Sequence, residues 1–147
     1  MSLKPLVVKP SDRKPPLSVI GTKITVLASG ADIEDQQVTL QSGDEGSGPP
    51  PHNHGWDESF YVTKGQVVFT CAGETTTCTT GTLVHVPGGT VHAFRFGPGG
   101  GEMLEITGKR SKAVLAFTAL DREIPPGPQD VARVVQVLGQ SGVKVHL

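Results

Sequence analysis

The stretch that most restricts the fold is Ser59–Gly101, SFYVTKGQVVFTCAGETTTCTTGTLVHVPGGTVHAFRFGPGGG. Runs of β-branched and aromatic residues are cut by turn signals at Lys64-Gly65, Ala72-Gly73, Gly81 and Pro87–Gly89. Such punctuation predicts short strands joined by tight turns rather than helices. Upstream, SVIGTKITVLAS reads as strand–turn–strand and QQVTLQS alternates; downstream, EMLEIT and AVLAFTAL continue the pattern as further strands. Roughly eight to ten short strands at close spacing predict an all-β sandwich or barrel.

One segment breaks the two-residue period. In PQDVARVVQVLGQSG, Val131, Val134, Val135 and Leu138 fall at i, i+3, i+4 and i+7, with Asp130 in the first turn and glycines beyond the last. This predicts a single amphipathic helix ending near Gly139–Gly142. Residues 1–16 are rich in proline and lysine without a helical period, and predict an extended arm free to pack on a neighbouring subunit. The expected division is an arm over 1–16, a β-barrel over 17–121 and a C-terminal extension over 122–147.

The 147 residues suit one domain, and 19 glycines with 12 prolines fit a chain of many turns. A formal net charge of −1 without a long basic run gives no electrostatic footprint for nucleic acid. No run approaches the roughly 18 apolar residues of a membrane span, and the N-terminus lacks the apolar centre of a signal peptide. The expectation is a cytoplasmic protein with no membrane partner. Cys71 and Cys78 flank a turn at AGET. A tight turn there sets Cys71 opposite position 76, which disfavours a cross-strand disulfide and leaves both thiols reduced.

Chemistry concentrates in GSGPPPHNHGWDESFYVTKG, Gly46–Gly65. The prolines favour extended backbone, and in an extended segment His52 and His54 point to one face. Glu58 follows after a short loop, with Asp57 as an alternative carboxylate. His92 lies beyond the turn signal PGGT and opens the strand HAFRF. Two or three imidazoles and one carboxylate form a mixed nitrogen and oxygen set that suits divalent Fe, Mn, Co, Ni, Cu or Zn. A lone His-x-His pair is a weak signal; the joint spacing is a strong one. Five residues separate Gly46 from His52, one His52 from His54, three His54 from Glu58 and six Glu58 from Gly65. Five separate Gly81 from Pro87, one Pro87 from Gly89 and two Gly89 from His92.

With these spacings the chain resembles the cupins, whose two motifs are G-x5-H-x-H-x3-4-E-x6-G and G-x5-P-x-G-x2-H-x3-N. Every fixed position is met except the last, where Phe96 stands in place of Asn. The resemblance implies a jelly-roll β-barrel with His52, His54, Glu58 and His92 as ligands of a divalent transition metal, and a homodimer, as is common in the family. The wording around both motifs looks most like small cupins related to quercetin 2,3-dioxygenases. That likeness implies a metal-dependent dioxygenase-type oxidoreductase acting on a small aromatic or enolic substrate, with Glu58 taking the substrate proton.

The two-residue period extends the reading to the pocket. If Glu58 and His92 face inward, so do Phe60 and Val62, and Phe94 and Phe96. After a hairpin turn at Lys64-Gly65, Val67 and Phe69 are the inward pair. Phe60, Phe69, Phe94 and Phe96 would then make the substrate pocket apolar and aromatic. Trp56 is placed for the mouth of the site, a lid or a subunit contact, and His85 for a contact that orients a ligand or for the barrel surface. His146 lies in an expected loose C-terminus. Two other functions fit: a non-enzymatic binder of a small ligand, or a metal-assisted isomerase or lyase. The latter needs an acid or base beyond the ligands, for which His85, Tyr61 and Glu102 are available.

Overall fold

The computed structural model describes residues 4–147; the first three residues of the arm lie outside the described residues. Residues 4–16 are largely exposed, with one 3-10 turn at Pro10–Asp12. The strands are β1 (Leu17–Val19), β2 (Thr22–Ala28), β3 (Gln36–Gly43), β4 (His52–Asn53), β5 (Glu58–Cys71), β6 (Glu74–Thr79), β7 (Leu83–Val86), β8 (His92–Gly108) and β9 (Lys144–Val145). Two helices, α1 (Ala113–Glu123) and α2 (Val131–Gln140), separate β8 from β9. The nine strands pair antiparallel in one sheet that curls into a half-barrel.

The spine of this sheet is the pairing of β5 with β8, from Glu58↔Thr107 to Cys71↔His92. Lys64-Gly65 is therefore not the expected hairpin. The strand runs on through it and bends at register shifts between Val62 and Lys64 and between Gly65 and Val67. HAFRF and EMLEIT are likewise two halves of β8, joined through Gly97–Gly101. Bulges and glycines are how a long strand bends sharply enough to curl a sheet. Gly65 sits at φ +66°, opposite Gly101, and a Cβ added there would run into the Gly100 carbonyl oxygen. Gly65→Ala is expected to destabilise the fold by about 2 kcal/mol or more, read by urea unfolding.

The turn at Ala72-Gly73 holds only two residues, both at positive φ. It pairs Cys71 with Glu74, correcting the expected partner at position 76, and puts Cys78 opposite Val67. Both cysteines are free.

The segment AVLAFTAL, whose apolar run predicts a strand, is the helix α1. Its buried residues Ala113, Ala116 and Leu120 fall at i, i+3 and i+7, and alanine favours helix over strand. The Ser111 hydroxyl accepts from the Ala113 N–H at 3.0 Å at its start. The single expected helix is thus the second of two. α2 forms where its period places it, with Asp130 as N-cap accepting from the Arg133 N–H at 3.2 Å. Its buried face is Val134, Val137 and Leu138, a face rotated away from the exposed Val131.

Two apolar clusters result. Phe60, Val62, Val67, Phe69, Phe94, Phe96 and Met103 fill the barrel. Val19, Ile24, Ala116, Leu120, Val137 and Leu138 join β1 and β2 to the helices. Full burial of each large side chain contributes about 1.5–3 kcal/mol. No helix among the described residues is long and apolar enough to cross a membrane.

Candidate metal centre

His52 lies on β4, which pairs with β8 at His52↔His92 and with β9 at His52↔Val145. The preceding Gly46–Pro51 segment is tied to β8. The Gly46 N–H donates to the Phe96 carbonyl at 2.8 Å, and the Arg95 guanidinium donates to the Pro49 carbonyl at 2.7 Å. The C-terminal tail completes the clamp. The His146 N–H donates to the Pro51 carbonyl at 2.8 Å, and its ring Nε2 meets the Asn53 Oδ1 at 2.8 Å. The tail expected to be loose therefore fixes the strand that carries His52.

The loop after His54 docks on the second motif. The Gly89 N–H donates to the His54 carbonyl at 2.7 Å, and the exposed Asp57 carboxylate accepts from the Gly88 N–H at 2.7 Å. A Cβ on Gly88 would stand 2.7 Å from the Gly55 carbonyl oxygen, so this approach needs glycine. Asp57 is thus a tie between the two motif loops, and Glu58 is the carboxylate that turns inward, 5 % exposed.

The three imidazoles share one hydrogen-bonding pattern. Each Nδ1 contacts a backbone carbonyl: His52 to Pro50 at 2.8 Å, His54 to Trp56 at 3.0 Å and His92 to Thr90 at 2.8 Å. A carbonyl only accepts, so each Nδ1 carries the hydrogen and each Nε2 is left for another partner. This is the arrangement by which outer contacts hold histidines ready for a metal. One ring nitrogen from each histidine lies within 4.8 Å of the others. The ring centroids of His52 and His54 are 4.3 Å and 5.1 Å from that of His92.

Glu58 Oε2 stands 2.9 Å from His92 Nε2 and 3.2 Å from His54 Nε2. Only the His92 contact has hydrogen-bond geometry, so the buried Nε2 of His54 has no hydrogen-bond partner. An unpaired buried nitrogen is costly, and it points at the same centre as the other donors. Three neutral imidazoles and a carboxylate are the donor set a divalent transition metal takes. The residues fit such an ion.

Electrostatics agree. Burial, aided by the neighbouring His92, pushes the His52 imidazolium down to about 4, so this ligand stays neutral well below neutrality. Burial alone would raise the Glu58 carboxyl, but contacts with His54 and His92 outweigh it and hold the group below the usual carboxylate range. Burial also works against a charged His92, and the bonded Glu58 carboxylate reverses this to a net rise. In the metal-free chain, His52 and Glu58 both bind fewer protons folded than unfolded, so acid costs stability. Below pH 6.5 the unfolded chain protonates His52 and the folded chain does not until about 4. The loss on that limb is up to about 3 kcal/mol. His92 contributes stability that is present below 6.5 and lost as pH rises through its higher folded value. Urea unfolding of metal-free protein should therefore show a falling limb from pH 6.5 to 4 that His52→Ala flattens.

The donors face a cavity of about 70 Å³ with mostly apolar walls, covered by α1 and α2. Phe60 and Phe94 line it, with Ala113, Ala116 and Leu120 of α1 opposite. Phe69 and Phe96 do not line it. They pack behind in the barrel core, ring centroids 5.2 Å from Phe60 and 5.6 Å from Phe94 respectively. The Phe96 ring fills the space beside Gly43 and Gly101. Trp56 stacks on His54 at 4.1 Å with planes 10° apart and lines the cavity.

The other acid–base candidates lie elsewhere. His85 is exposed on the outer face, its Nδ1 2.8 Å from the Ser59 hydroxyl. Tyr61 is exposed, and Glu102 accepts from Thr63 at 2.8 Å beside Lys64. The residue that sequence reasoning missed is Glu105, 2 % exposed, on the cavity wall beside Glu58. Burial and the Glu58 charge hold its carboxyl well above the usual range.

Residues 36–106 match the cupin domain family. The fold is that of a small cupin, and residues 36–106 are a cupin domain. Solved structures agree on the fold. The polyketide cyclase RemF of Streptomyces resistomycificus is 23% identical, with a TM-score of 0.65 over 73% of this chain and 81% of that one. An RmlC-like cupin of Shewanella frigidimarina is 18% identical, with a TM-score of 0.66 over 78% and 99%. A predicted oxalate decarboxylase of Thermotoga maritima is 20% identical, with a TM-score of 0.63 over 69% and 97%. No curated protein matches the sequence significantly.

Proposed function

We propose that this cupin is a metal-dependent enzyme acting on a small enolic or enolisable substrate, with dioxygen as co-substrate in a dioxygenase-type reaction. The observation that carries the reading is the convergence of three pre-oriented Nε2 atoms and the Glu58 carboxylate at the wall of an apolar cavity. His52, His54, His92 and Glu58 would hold the ion, which supplies Lewis acidity toward a substrate oxygen. Glu58 is the proton acceptor, being the buried carboxylate nearest that position. The carbonyls of Pro50, Trp56 and Thr90 hold the three Nδ1 atoms, and Trp56 fixes the plane of His54. The apolar walls exclude water and suit both dioxygen and a carbon skeleton.

Cavity size selects among substrates. About 70 Å³ is well below the 300–1,000 Å³ of pockets for drug-sized ligands. A space of this size suits a molecule of only a few carbon atoms, and a flavonol is far too large for it. Ala116→Leu, which fills the cavity from α1, is expected to weaken ligand binding by about tenfold or more and leave metal content unchanged. Titration calorimetry and elemental analysis read the two effects separately.

One observation favours a second reading, a metal-assisted isomerase or lyase. Such an enzyme needs an acid beyond the ligands, and Glu105 places a second carboxyl beside Glu58. Dioxygen uptake by metal-loaded protein with a panel of small diones separates the two. Uptake coupled to substrate loss supports the oxygenase, and equal turnover with and without air supports the isomerase or lyase. Ligand binding without turnover under either condition leaves only the binder and overturns both.

A further inference from the structure

Apart from the metal donors, Thr22 and the Trp56 indole, the polar groups on the cavity wall form one strip. Gln41 of β3 and Glu105 of β8 both line it. The two side chains are joined through Thr39, which is opposite Glu105 in the sheet. The Gln41 Nε2 donates to the Thr39 Oγ1 at 3.3 Å, and the Thr39 hydroxyl donates to the Glu105 Oε1 at 3.2 Å. Gln41 and Glu105 are each 2 % exposed and Thr39 not at all. Burying a carboxyl in an apolar wall costs several kcal/mol unless it is fully bonded. No lysine or arginine among the described residues pairs with Glu105, and aliphatic residues would fill the same positions at lower cost. The strip adjoins the metal donors, since Glu105 is opposite Phe60 in the sheet, next but one to Glu58 on the same face of β5, and both carboxyls line the cavity.

We propose that Gln41 and Glu105 are substrate-binding residues, which select a small molecule carrying a second polar group next to the oxygen directed at the histidines. The neighbouring places of Glu105 and Glu58 on the wall suit two polar groups set close together, as in an α-hydroxy ketone or a 1,3-dione. The rest of the molecule packs on Phe94 and α1. This rests on the metal reading above and names its substrate class.

The test uses the cobalt(II)-loaded protein and its visible spectrum. Azide probes the metal alone. Hydroxyacetone and 2,4-pentanedione probe both sites, each paired with a counterpart lacking the second polar group, 2-butanone and 2-pentanone. The wild type should bind the first member of each pair about tenfold tighter or more. Gln41→Leu and Glu105→Leu should each collapse that preference to about twofold with azide affinity unchanged, and Glu105→Gln, which keeps hydrogen bonding, should restore most of it. A preference that survives in Gln41→Leu comes from chelation by the metal and overturns the proposal, as does the absence of any preference in the wild type. Failure of the wild type to take up cobalt would instead overturn the metal reading itself.

Discussion

His52→Ala is expected to lower metal affinity by about 100-fold or more while leaving metal-free stability at neutral pH within about 1 kcal/mol. Loss of the outer partner of a metal-bound histidine already costs 10–100-fold, and loss of the ligand itself costs at least the upper end of that range. His52 is the cleanest ligand to remove. Its side chain is half-buried and takes no part in the contact of Glu58 with His54 and His92. Burial already holds it neutral, so no charge pair is lost. The β4 pairing that positions it uses backbone groups, which alanine keeps. His92→Ala, by contrast, removes the hydrogen bond to the buried Glu58 and should destabilise the metal-free chain as well. Competition with a chelating dye measures the affinities, and urea unfolding the stabilities.

Glu58→Gln should leave the chain folded and reduce turnover about 100-fold or more. Glutamine has the same shape and can still meet the Nε2 atoms of His54 and His92, but it cannot accept the substrate proton. General acid–base catalysis contributes about 10²–10⁴-fold. Metal binding weakens too, so the comparison belongs at saturating metal, with bound metal measured in the same sample. Single-turnover kinetics under those conditions isolates the proton step. Full turnover in the metal-loaded variant would remove Glu58 from the mechanism.

The grouping of His52, His54, Glu58 and His92 was legible through the motif spacing that resembles the cupins, a spacing that is largely local. One residue between His52 and His54, three to Glu58, and a proline-rich lead-in are short-range constraints, and the glycines of the second motif bring His92 across. The inward phenylalanines follow from the same two-residue period. Glu105 was not legible because the period does not survive the bend in β8. Positions 92, 94 and 96 face inward before Gly97–Gly101, and 103, 105 and 107 after it. The parity changes within the glycine run, so counting from His92 gives the wrong face. In β5 the change from 58, 60 and 62 to 67 and 69 comes from bulges rather than a hairpin. The helix α1 was missed because its apolar run outweighed the helical spacing of Ala113, Ala116 and Leu120. That helix covers the cavity, so its absence from the sequence reading left the pocket without a wall and its volume unbounded.

His52, His54, His92 and Glu58 are proposed to bind one metal ion per chain. Elemental analysis of protein prepared without a histidine tag, reconstituted with Mn, Fe, Co, Ni, Cu or Zn and freed of excess metal, tests this most directly. The expected result is close to one transition-metal ion per chain, lost in His52→Ala. Wild-type protein that retains no stoichiometric metal under any of these reconstitutions, or a variant that retains as much as the wild type, would contradict it.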